Sequence, residues 1–278
     1  MTCAWTNFLN VIPQRFRADT DRLGKQDLQE LRLRTGKPPQ LVTSGGIKWL
    51  NGDVTEEELR FVINMASRYS PWSAQTARNG YITAPGGHRI GISGEYADQA
   101  GSGCGFRKLS SLCIRVARDL PGIARRIPPD IRSCLLIGPP GSGKTTLLRD
   151  LIRKISAEGL CVCVVDERGE LFPPEAGFDT GPSTDIYTGC SKSQGIMMAL
   201  KTMGPQWIAV DEITEEIDRD ALISAFGCGV RLLATAHAGD LRDLSDRPLY
   251  RPLKECRIFD TIVILQQDKS YRMERIPL

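Results

Sequence analysis

Residues 138–145 read Gly-Pro-Pro-Gly-Ser-Gly-Lys-Thr, between an apolar run at 134–137 and a helical pattern that extends from Lys144 to Ser156. Glycines allow backbone N–H groups to close around phosphate oxygens, and the start of the following helix adds a positive dipole. In such a loop the lysine reaches the terminal phosphates and the threonine hydroxyl ligates Mg²⁺. The strand–loop–helix order therefore predicts an ATP-binding phosphate loop in an α/β domain. The alternative is a structural glycine turn.

The nucleotide-binding residues predicted from this loop are consecutive in the sequence. They are Gly138, Pro139, Pro140, Gly141, Ser142, Gly143, Lys144, Thr145 and Thr146. Lys144 is also predicted to neutralise the charge that develops during phosphoryl transfer, and Thr145 is predicted to ligate Mg²⁺. ATP and Mg²⁺ are therefore the predicted cofactors.

A second apolar strand, Trp207 to Val210, ends in two carboxylates, Asp211 and Glu212. This is the form of a Walker B element, in which Asp211 holds the Mg²⁺ shell and Glu212 polarises the attacking water. A strand that ends in Asp-Glu is a weak signal alone. Downstream of a phosphate loop, it predicts the metal and catalytic carboxylates of the same site.

Two further strand patterns end in polar residues. The first, from Leu160, enters Asp166-Glu167-Arg168, at the strand end where parallel α/β sheets bind ligands. We interpret Glu167 as a second candidate catalytic carboxylate and Arg168 as a charge stabiliser, against the alternative of a solvated charged loop. The second ends in Thr235-Ala236-His237. Thr235 or His237 is predicted to sense the γ-phosphate or orient water, unless His237 is simply structural.

The rest of the pattern divides the chain into a small α+β N-terminal domain, 1–117, and an α/β domain, 118–278. In the first, helical spacing runs from Glu56 to Arg68, and Thr55 and Glu58 form a capping box at its start. A hairpin turn is predicted around Pro85 to Gly87, with His88 exposed in the turn. Gly101 to Gly103 is predicted to be a loop.

The second domain alternates continuous apolar strands with helical segments. This alternation indicates a mainly parallel sheet that is covered by helices on both faces. The stretch from Gly239 to Arg251, rich in Arg and Asp, is predicted to be an exposed connection.

Composition excludes several classes of protein. The formal net charge of +3 gives no support to nucleic acid as a partner, and no apolar run approaches the length of a membrane span. We therefore expect a cytoplasmic protein that does not insert into a membrane. The nine cysteines contain no Cys-x-x-Cys pair and the chain has two histidines, so the sequence does not predict a zinc site. The thiols are predicted to be core residues in a reducing cytosol.

Taken together, the four strand-end blocks resemble the type II/type IV secretion ATPase group within the RecA-like P-loop proteins. The matching residues are 138–145, Val165-Asp166-Glu167, Val210-Asp211-Glu212-Ile213 and Thr235-Ala236-His237. The resemblance implies a RecA-like fold. The chain departs from the group at Asp211, where many members carry Gly, and at Val230, where many carry the first histidine of a His box. These departures leave Glu212 as the first candidate for the catalytic carboxylate and Glu167 as the reserve.

The chain also resembles the stage III sporulation protein AA family of endospore-forming bacteria. The residues that carry this resemblance are Glu30 to Gly36, Pro85 to Gly91, Ile114 to Arg118, Gly138 to Arg149, Val165 to Arg168 and Ala234 to His237. It implies an ATPase of the mother cell that forms a homo-oligomeric, hexameric ring. The ring would power or assemble the channel between mother cell and forespore, docked on membrane-embedded channel proteins. Arg115 and Arg118 resemble positions that reach nucleotide across a domain or subunit junction, unless they serve a surface or salt-bridge role.

The reaction predicted from these features is in-line attack of water on the γ-phosphate of ATP. Two other functions stay open at this point. One is an assembly protein that binds ATP structurally with negligible turnover, and the other is a nucleic-acid-dependent RecA-like motor.

Overall fold

The computed structural model describes residues 1–68, 80–97, 105–173 and 175–276. The predicted loop at Gly101 to Gly103 and the thiol of Cys104 lie outside these residues. The chain separates into two compact units. The N-terminal unit consists of Met1–Arg118 and Pro173–Gly177, and the C-terminal unit of Asp119–Phe172 and Phe178–Leu278.

An antiparallel sheet forms the centre of the N-terminal unit. Its six strands are ordered β3-β2-β1-β6-β5-β4. The strands are β1 (Leu28–Arg34), β2 (Gln40–Thr43), β3 (Gly46–Trp49), β4 (Tyr81–Ala84), β5 (His88–Ala97) and β6 (Gly105–Arg115). The helices are α1 (Trp5–Val11), α2 (Gln14–Asp27) and α3 (Glu56–Ser67). Alternate strand residues such as Leu31, Leu33 and Ile114 are buried in one apolar core with the helices, as the period of two along a strand requires.

Two predictions of local structure in this unit are confirmed. The Thr55 side chain accepts a hydrogen bond from the backbone N–H of Glu58, and the Glu58 side chain accepts one from the Thr55 N–H. Strands β4 and β5 pair as the predicted hairpin, with Ala84 opposite His88. The capping box and the turn of the hairpin each depend on residues within four positions of one another, so the sequence pattern was sufficient to find them.

His88 is not exposed, and the prediction made for it is wrong. Its side chain has 0% relative exposure, and Nε2 lies 2.9 Å from the Ala4 carbonyl oxygen. The Ala117 N–H donates to Nδ1 at 3.1 Å, so Nε2 carries the proton and donates to Ala4. The ring also meets the edge of Phe8. The imidazole links three segments of the unit, a role that the turn around it did not reveal.

The buried imidazole makes the N-terminal unit sensitive to acid. Burial lowers the pKa of His88 from its ordinary value of 6.5, against the opposing effect of the Ala4 carbonyl. The unfolded chain therefore takes up a proton before the folded one, and stability is full above about pH 6.5 and falls as the pH drops below it. We expect a loss of up to about 1.4 kcal/mol per pH unit in this range. Thermal melts of wild type and His88→Gln between pH 5 and 7.5 test this.

The control for that experiment is His237→Gln, because His237 is the only other histidine in the sequence. The acid-dependent decrease in melting temperature should persist in His237→Gln and become shallower in His88→Gln. An unchanged pH dependence in His88→Gln would contradict the assignment.

A mainly parallel sheet forms the centre of the C-terminal unit. Its seven strands are ordered β13-β12-β7-β11-β10-β8-β9, and only the β12–β13 pair is antiparallel. The strands are β7 (Cys134–Ile137), β8 (Val162–Asp166), β9 (Thr184–Thr188), β10 (Trp207–Val210), β11 (Arg231–Ala236), β12 (Thr261–Leu265) and β13 (Tyr271–Arg275). The helices are α4 (Lys144–Ala157), α5 (Lys192–Thr202), α6 (Glu216–Gly227), α7 (Leu241–Asp246) and α8 (Arg251–Glu255), with a 3₁₀ turn at Ile123–Arg126.

The two faces of this sheet carry separate apolar cores. On β10, Trp207 and Ala209 pack on the face that α4 covers, whereas Ile208 and Val210 pack on the face that α5 and α6 cover. The predicted parallel sheet with helices on both faces is therefore confirmed. Its strand order places the carboxyl ends of β7, β11, β10 and β8 side by side at one edge.

The stretch from Gly239 to Arg251 is only partly an exposed connection. It contains α7, and Leu244 and Tyr250 are buried at 7% and 5% relative exposure. The Tyr250 hydroxyl donates to the Ile213 carbonyl oxygen at 3.2 Å. The alternation of Arg and Asp concealed these apolar anchors in the sequence.

The thiols are less uniformly buried than the sequence predicted. Cys134 and Cys163 are core residues, but Cys228 and Cys256 are exposed. Among the residues that the structure describes, no helix combines the length and apolar character that crossing a bilayer demands.

Candidate nucleotide-binding site

The glycine-rich segment 138–143, the predicted phosphate loop, connects the end of β7 to the start of α4. A Cβ atom at the buried Gly138 would lie 2.8 Å from the Leu265 carbonyl oxygen and from Ser142 Oγ, so no side chain fits there. Gly143 has φ of 100° and forms the N-cap of α4. Glycine at these positions lets the loop wrap closely before the helix N-terminus. The predicted strand–loop–helix context is thus present.

Lys144 lies at the base of the loop with 5% relative exposure. Its Nζ donates to the Gly138 and Pro139 carbonyl oxygens, at 2.9 and 3.1 Å, and lies 3.0 Å from His237 Nδ1. Burial lowers the pKa of Lys144, and the charges of Glu212 and Asp211 oppose that effect. The three N–H bonds of the ammonium group therefore all have partners within the site.

Asp211 connects the end of β10 to the start of α4. Its Oδ2 accepts a hydrogen bond from Thr145 Oγ1 at 2.8 Å, and its Oδ1 accepts one from Thr235 Oγ1 at 2.6 Å. Burial raises the pKa of Asp211, while both hydroxyls act in the opposite direction. A hydroxyl and a carboxylate that converge beside a phosphate loop are hard oxygen donors, the type that Mg²⁺ selects. Thr145 and Asp211 therefore fit a Mg²⁺ ion.

Glu212 follows in a left-handed conformation, with φ of 49°. Its backbone N–H donates to Thr235 Oγ1 at 2.8 Å, and its Oε1 lies 2.7 Å from His237 Nε2. Since Lys144 donates to Nδ1 of His237, Nε2 carries the proton and donates to Glu212. The three side chains form a continuous chain, Lys144–His237–Glu212. A left-handed backbone at a non-glycine residue is typical of functional sites, where the surroundings hold the strain.

Thr235 has no exposed surface, and its hydroxyl is used entirely within the site. It donates to Asp211 and accepts from the backbone of Glu212. In this geometry Thr235 fixes the Asp211 carboxylate and the backbone of Glu212, and the hydroxyl does not face solvent. Of the two residues predicted to sense phosphate, His237 is the one whose ring contacts Lys144.

The acidic residues after β8 have two different environments. Asp166 is 2% exposed and accepts hydrogen bonds from the backbone N–H groups of Glu170 and Phe172, at 2.8 and 2.9 Å. These two hydrogen bonds hold the loop that follows Asp166 in place. Glu167 instead pairs with Lys192, whose Nζ lies 2.6 Å from Oε2. Arg168 is exposed and lines the same cavity as Glu167, Asp211 and Glu212.

Two lysines in this region were not predicted from the sequence to be site residues. Lys192 is buried at the start of α5 and also lies 3.5 Å from Asp218 of α6. Lys269, in the turn between β12 and β13, donates to the Gly141 carbonyl oxygen of the phosphate loop. The Ser191–Gln194 capping box marks the start of α5 in the sequence, so the position of Lys192 in the first turn was readable. The sequence did not reveal that Lys192 pairs with Glu167 and Asp218, which lie on other elements.

Lys192 is a structural support of the site, and removing it should destabilise the C-terminal unit. Burial alone would lower the pKa of Lys192, but Glu167 and Asp218 outweigh it and the pKa is raised. Lys192→Met leaves the buried Asp218 without its cation, and we expect a loss of about 3 kcal/mol in the free energy of unfolding, the low end for a buried ion pair that loses one partner. The half-exposed Glu167 contributes little to this because water screens it. Urea denaturation measures the difference.

The matched control is Lys201→Met, which removes an exposed lysine from the same helix. We expect that variant to stay within about 0.5 kcal/mol of wild type. Equal stability of Lys192→Met and Lys201→Met would show that the Lys192 ion pairs contribute nothing.

Arg115 and Arg118 both belong to the N-terminal unit. Arg115 pairs with Glu30 at 3.2 Å and its side chain is 60% exposed. Burial lowers the pKa of Arg118, and the nearby Cys3 and Asp27 oppose that shift. The contact of either arginine with nucleotide stays a prediction.

Comparison with known proteins identifies the family to which the chain belongs. The family described as "Sporulation stage III, protein AA" matches residues 7–274. The stage III sporulation protein AA of Bacillus subtilis (strain 168) is 33% identical, and the match covers 94% of this chain and 90% of that protein.

Solved structures of similar fold include the ATPase DotB of Yersinia pseudotuberculosis, at 16% identity and a TM-score of 0.62, covering 94% of this chain and 78% of that one. The pilus retraction motor PilT with bound ADP is 16% identical with a TM-score of 0.60, covering 94% and 82%. These likenesses show the fold, and they confirm the RecA-like sheet that the sequence resemblance implied. The chain belongs to the stage III sporulation protein AA family.

Proposed function

We propose that this chain hydrolyses ATP to ADP and phosphate. The observation that carries the proposal is the chain Lys144–His237–Glu212, which lies beside the Asp211–Thr145 pair at one edge of the sheet. Neighbouring strand ends thus supply three groups. These are the loop that would hold phosphate, the oxygen donors for Mg²⁺, and a carboxylate that would orient water. The fold shared with DotB and with the ADP-bound PilT supports the same interpretation.

Each residue has a distinct role in this proposal. Backbone N–H groups of 138–145 and the Lys144 ammonium hold the phosphates, and Thr145 and Asp211 hold Mg²⁺. The bound metal supplies a Lewis acid that draws charge from the phosphate oxygens. Glu212 orients the attacking water and accepts its proton while the bond from the γ-phosphorus to ADP breaks. Lys144 neutralises the charge that develops.

His237 couples the two ends of this arrangement. Because all three N–H bonds of Lys144 have partners within the site, its contact with a phosphate oxygen requires the exchange of at least one of them. When the contact with His237 is the one exchanged, Nδ1 of the imidazole loses its hydrogen bond from Lys144. The hydrogen bond that Nε2 donates to Glu212 then changes as well. We therefore place His237 as the group that links phosphate contact by Lys144 to the orientation of the catalytic carboxylate.

Glu212 is preferred to Glu167 as the residue that activates water. Glu167 forms an ion pair with Lys192 at 2.6 Å, which neutralises its charge. The Lys192 contact occupies Oε2 of Glu167, whereas Glu212 directly follows Asp211 and is joined to Lys144 through His237. Arg168, on the same loop, is proposed to stabilise charge from the exposed side of the cavity.

At the level of the cell, we propose that turnover powers or assembles the mother cell–forespore channel, with the chain acting as a homo-oligomeric ring docked on membrane proteins. Membership of the sporulation family supports the setting. A ring in which a neighbouring subunit completes each site predicts that assembly depends on nucleotide.

The test is phosphate release by the purified full-length chain, measured over a wide range of chain concentration with ATP and Mg²⁺. We expect specific activity to rise with concentration, and the mass in solution to increase when ATP and Mg²⁺ are added. ATP that binds without turnover at every concentration would instead support a structural nucleotide in an assembly protein.

A further inference from the structure

A cluster of metal-binding side chains lies at the opposite end of β8 from the nucleotide site. Cys161, Cys163 and Asp185 each place one donor atom so that all three lie within 4.8 Å of one another. Residues two apart in a strand point to the same face, which brings the two thiols together. Cys163 pairs in register with Asp185 of the neighbouring strand β9, so the carboxylate joins them across the sheet.

The backbone of the cluster is held firmly. The Cys161 N–H donates to the Gln206 side-chain oxygen at 2.9 Å, and the Cys161 carbonyl accepts from the backbone N–H groups of Gln206 and Trp207, at 3.1 and 3.0 Å. Cys163 has no exposed surface and Cys161 is partly exposed. The backbone that carries Cys161 is therefore held by the sheet, and the cluster is accessible from the side of Cys161.

In the metal-free cluster the two thiols favour their protonated, neutral form. Within the described part of the chain, Asp185 forms no ion pair, and its Oδ2 lies 3.7 Å from Cys161 Sγ. Burial, with help from Asp185, raises the pKa of the Cys161 thiol, and burial, Cys161 and Asp185 raise that of Cys163 to about 12. A bound cation would reverse this balance, because a metal displaces the thiol protons and is then held by thiolates.

We propose that Cys161, Cys163 and Asp185 bind a thiophilic divalent cation of the zinc class. Two sulfur ligands and one carboxylate oxygen suit Zn²⁺ and disfavour Mg²⁺, which requires oxygen ligands. Three protein ligands leave the fourth tetrahedral position for water on the accessible side. The sequence did not predict a zinc site because it contains no Cys-x-x-Cys pair. That spacing is not required when the ligands come from two neighbouring strands.

The ion would fasten edge strand β9 to β8 and would take no part in ATP hydrolysis. Cys161 lies five positions from Asp166 at the nucleotide edge, and Cys163 lies three positions from it. These separations are about 16 Å and about 10 Å along an extended strand. The cation site and the nucleotide site are thus independent, and the loss of binding at one should leave binding at the other unchanged.

Cobalt titration of the reduced full-length chain tests the proposal. Co²⁺ bound by thiolates gives a thiolate-to-metal charge-transfer absorption, which Co²⁺ bound at the oxygen donors of the nucleotide site does not give. We expect this band to saturate at one Co²⁺ per chain and to disappear when Zn²⁺ is added. Lys144→Ala should keep the band, which separates this result from the fate of the proposed ATPase activity.

Substitutions locate the ion. Asp185→Asn and Cys161→Ser should weaken Co²⁺ binding by about 10-fold or more, since each removes a ligand and supporting groups alone contribute about 10–100-fold. Neither residue is fully buried, so both variants should fold. Cys228→Ser, at an exposed thiol on a different segment, should bind like wild type. The absence of a charge-transfer band, or a band unchanged in Asp185→Asn and Cys161→Ser, would overturn the proposal.

Discussion

Glu212→Gln is expected to lower ATP hydrolysis by about 10²–10⁴-fold, the usual contribution of a positioned general base. Gln has nearly the same shape, and its side-chain oxygen still accepts the hydrogen bond that His237 Nε2 donates at 2.7 Å in the wild type. The backbone N–H bond to Thr235 also remains, so the left-handed conformation of residue 212 has no reason to change. ATP should therefore bind as before and remain uncleaved. Phosphate release and nucleotide titration on the same sample measure the two effects.

Glu167→Gln is the matched control for this variant. It makes the same chemical change in the same cavity, at the carboxylate that pairs with Lys192. We expect turnover to fall by no more than a few-fold. If Glu167→Gln abolishes hydrolysis and Glu212→Gln does not, the roles of the two carboxylates are reversed.

Lys144→Ala is expected to reduce ATP affinity by about 10²-fold or more, as the loss of a buried, hydrogen-bonded charge costs several kcal/mol. The ammonium is the cation that is buried inside the phosphate loop, where it contacts two loop carbonyls and His237. Without it no buried side-chain cation inside the loop balances the phosphate charge, and hydrolysis should fall to background. Isothermal titration with ATP and Mg²⁺ measures the affinity.

Lys269→Ala provides a graded comparison because it removes the same charge from a lysine that also contacts the loop. Lys269 is exposed, so water already screens its charge and its loss should weaken ATP binding by only a few-fold. Equal affinities of wild type and Lys144→Ala would contradict the assignment of 138–145 as the phosphate cradle.

The helices and strands that the sequence predicted share one property. Each is defined by a spacing that repeats within a few residues, as in the capping box at Thr55 or the apolar strand before the phosphate loop. Segments without such a spacing had no prediction, including α1, α2 and the half-buried edge strand β9. In the stretch 239–251, alternating charges concealed α7 and the buried Tyr250.

The sequence pattern by itself predicted the mainly parallel sheet and the strand–loop–helix order around residues 138–145, and the family resemblance implied that the sheet is RecA-like. It also brought forward the polar strand ends as candidate site residues, because strand, loop and helix signals are local and parallel strands end at one edge. Only the tertiary structure decided which hydrogen bonds and ion pairs join those residues. Thr235 holds both Asp211 and Glu212, and Lys192 pairs with Glu167. These contacts join residues far apart in the chain, so they depend on strand order and register, which no local pattern encodes.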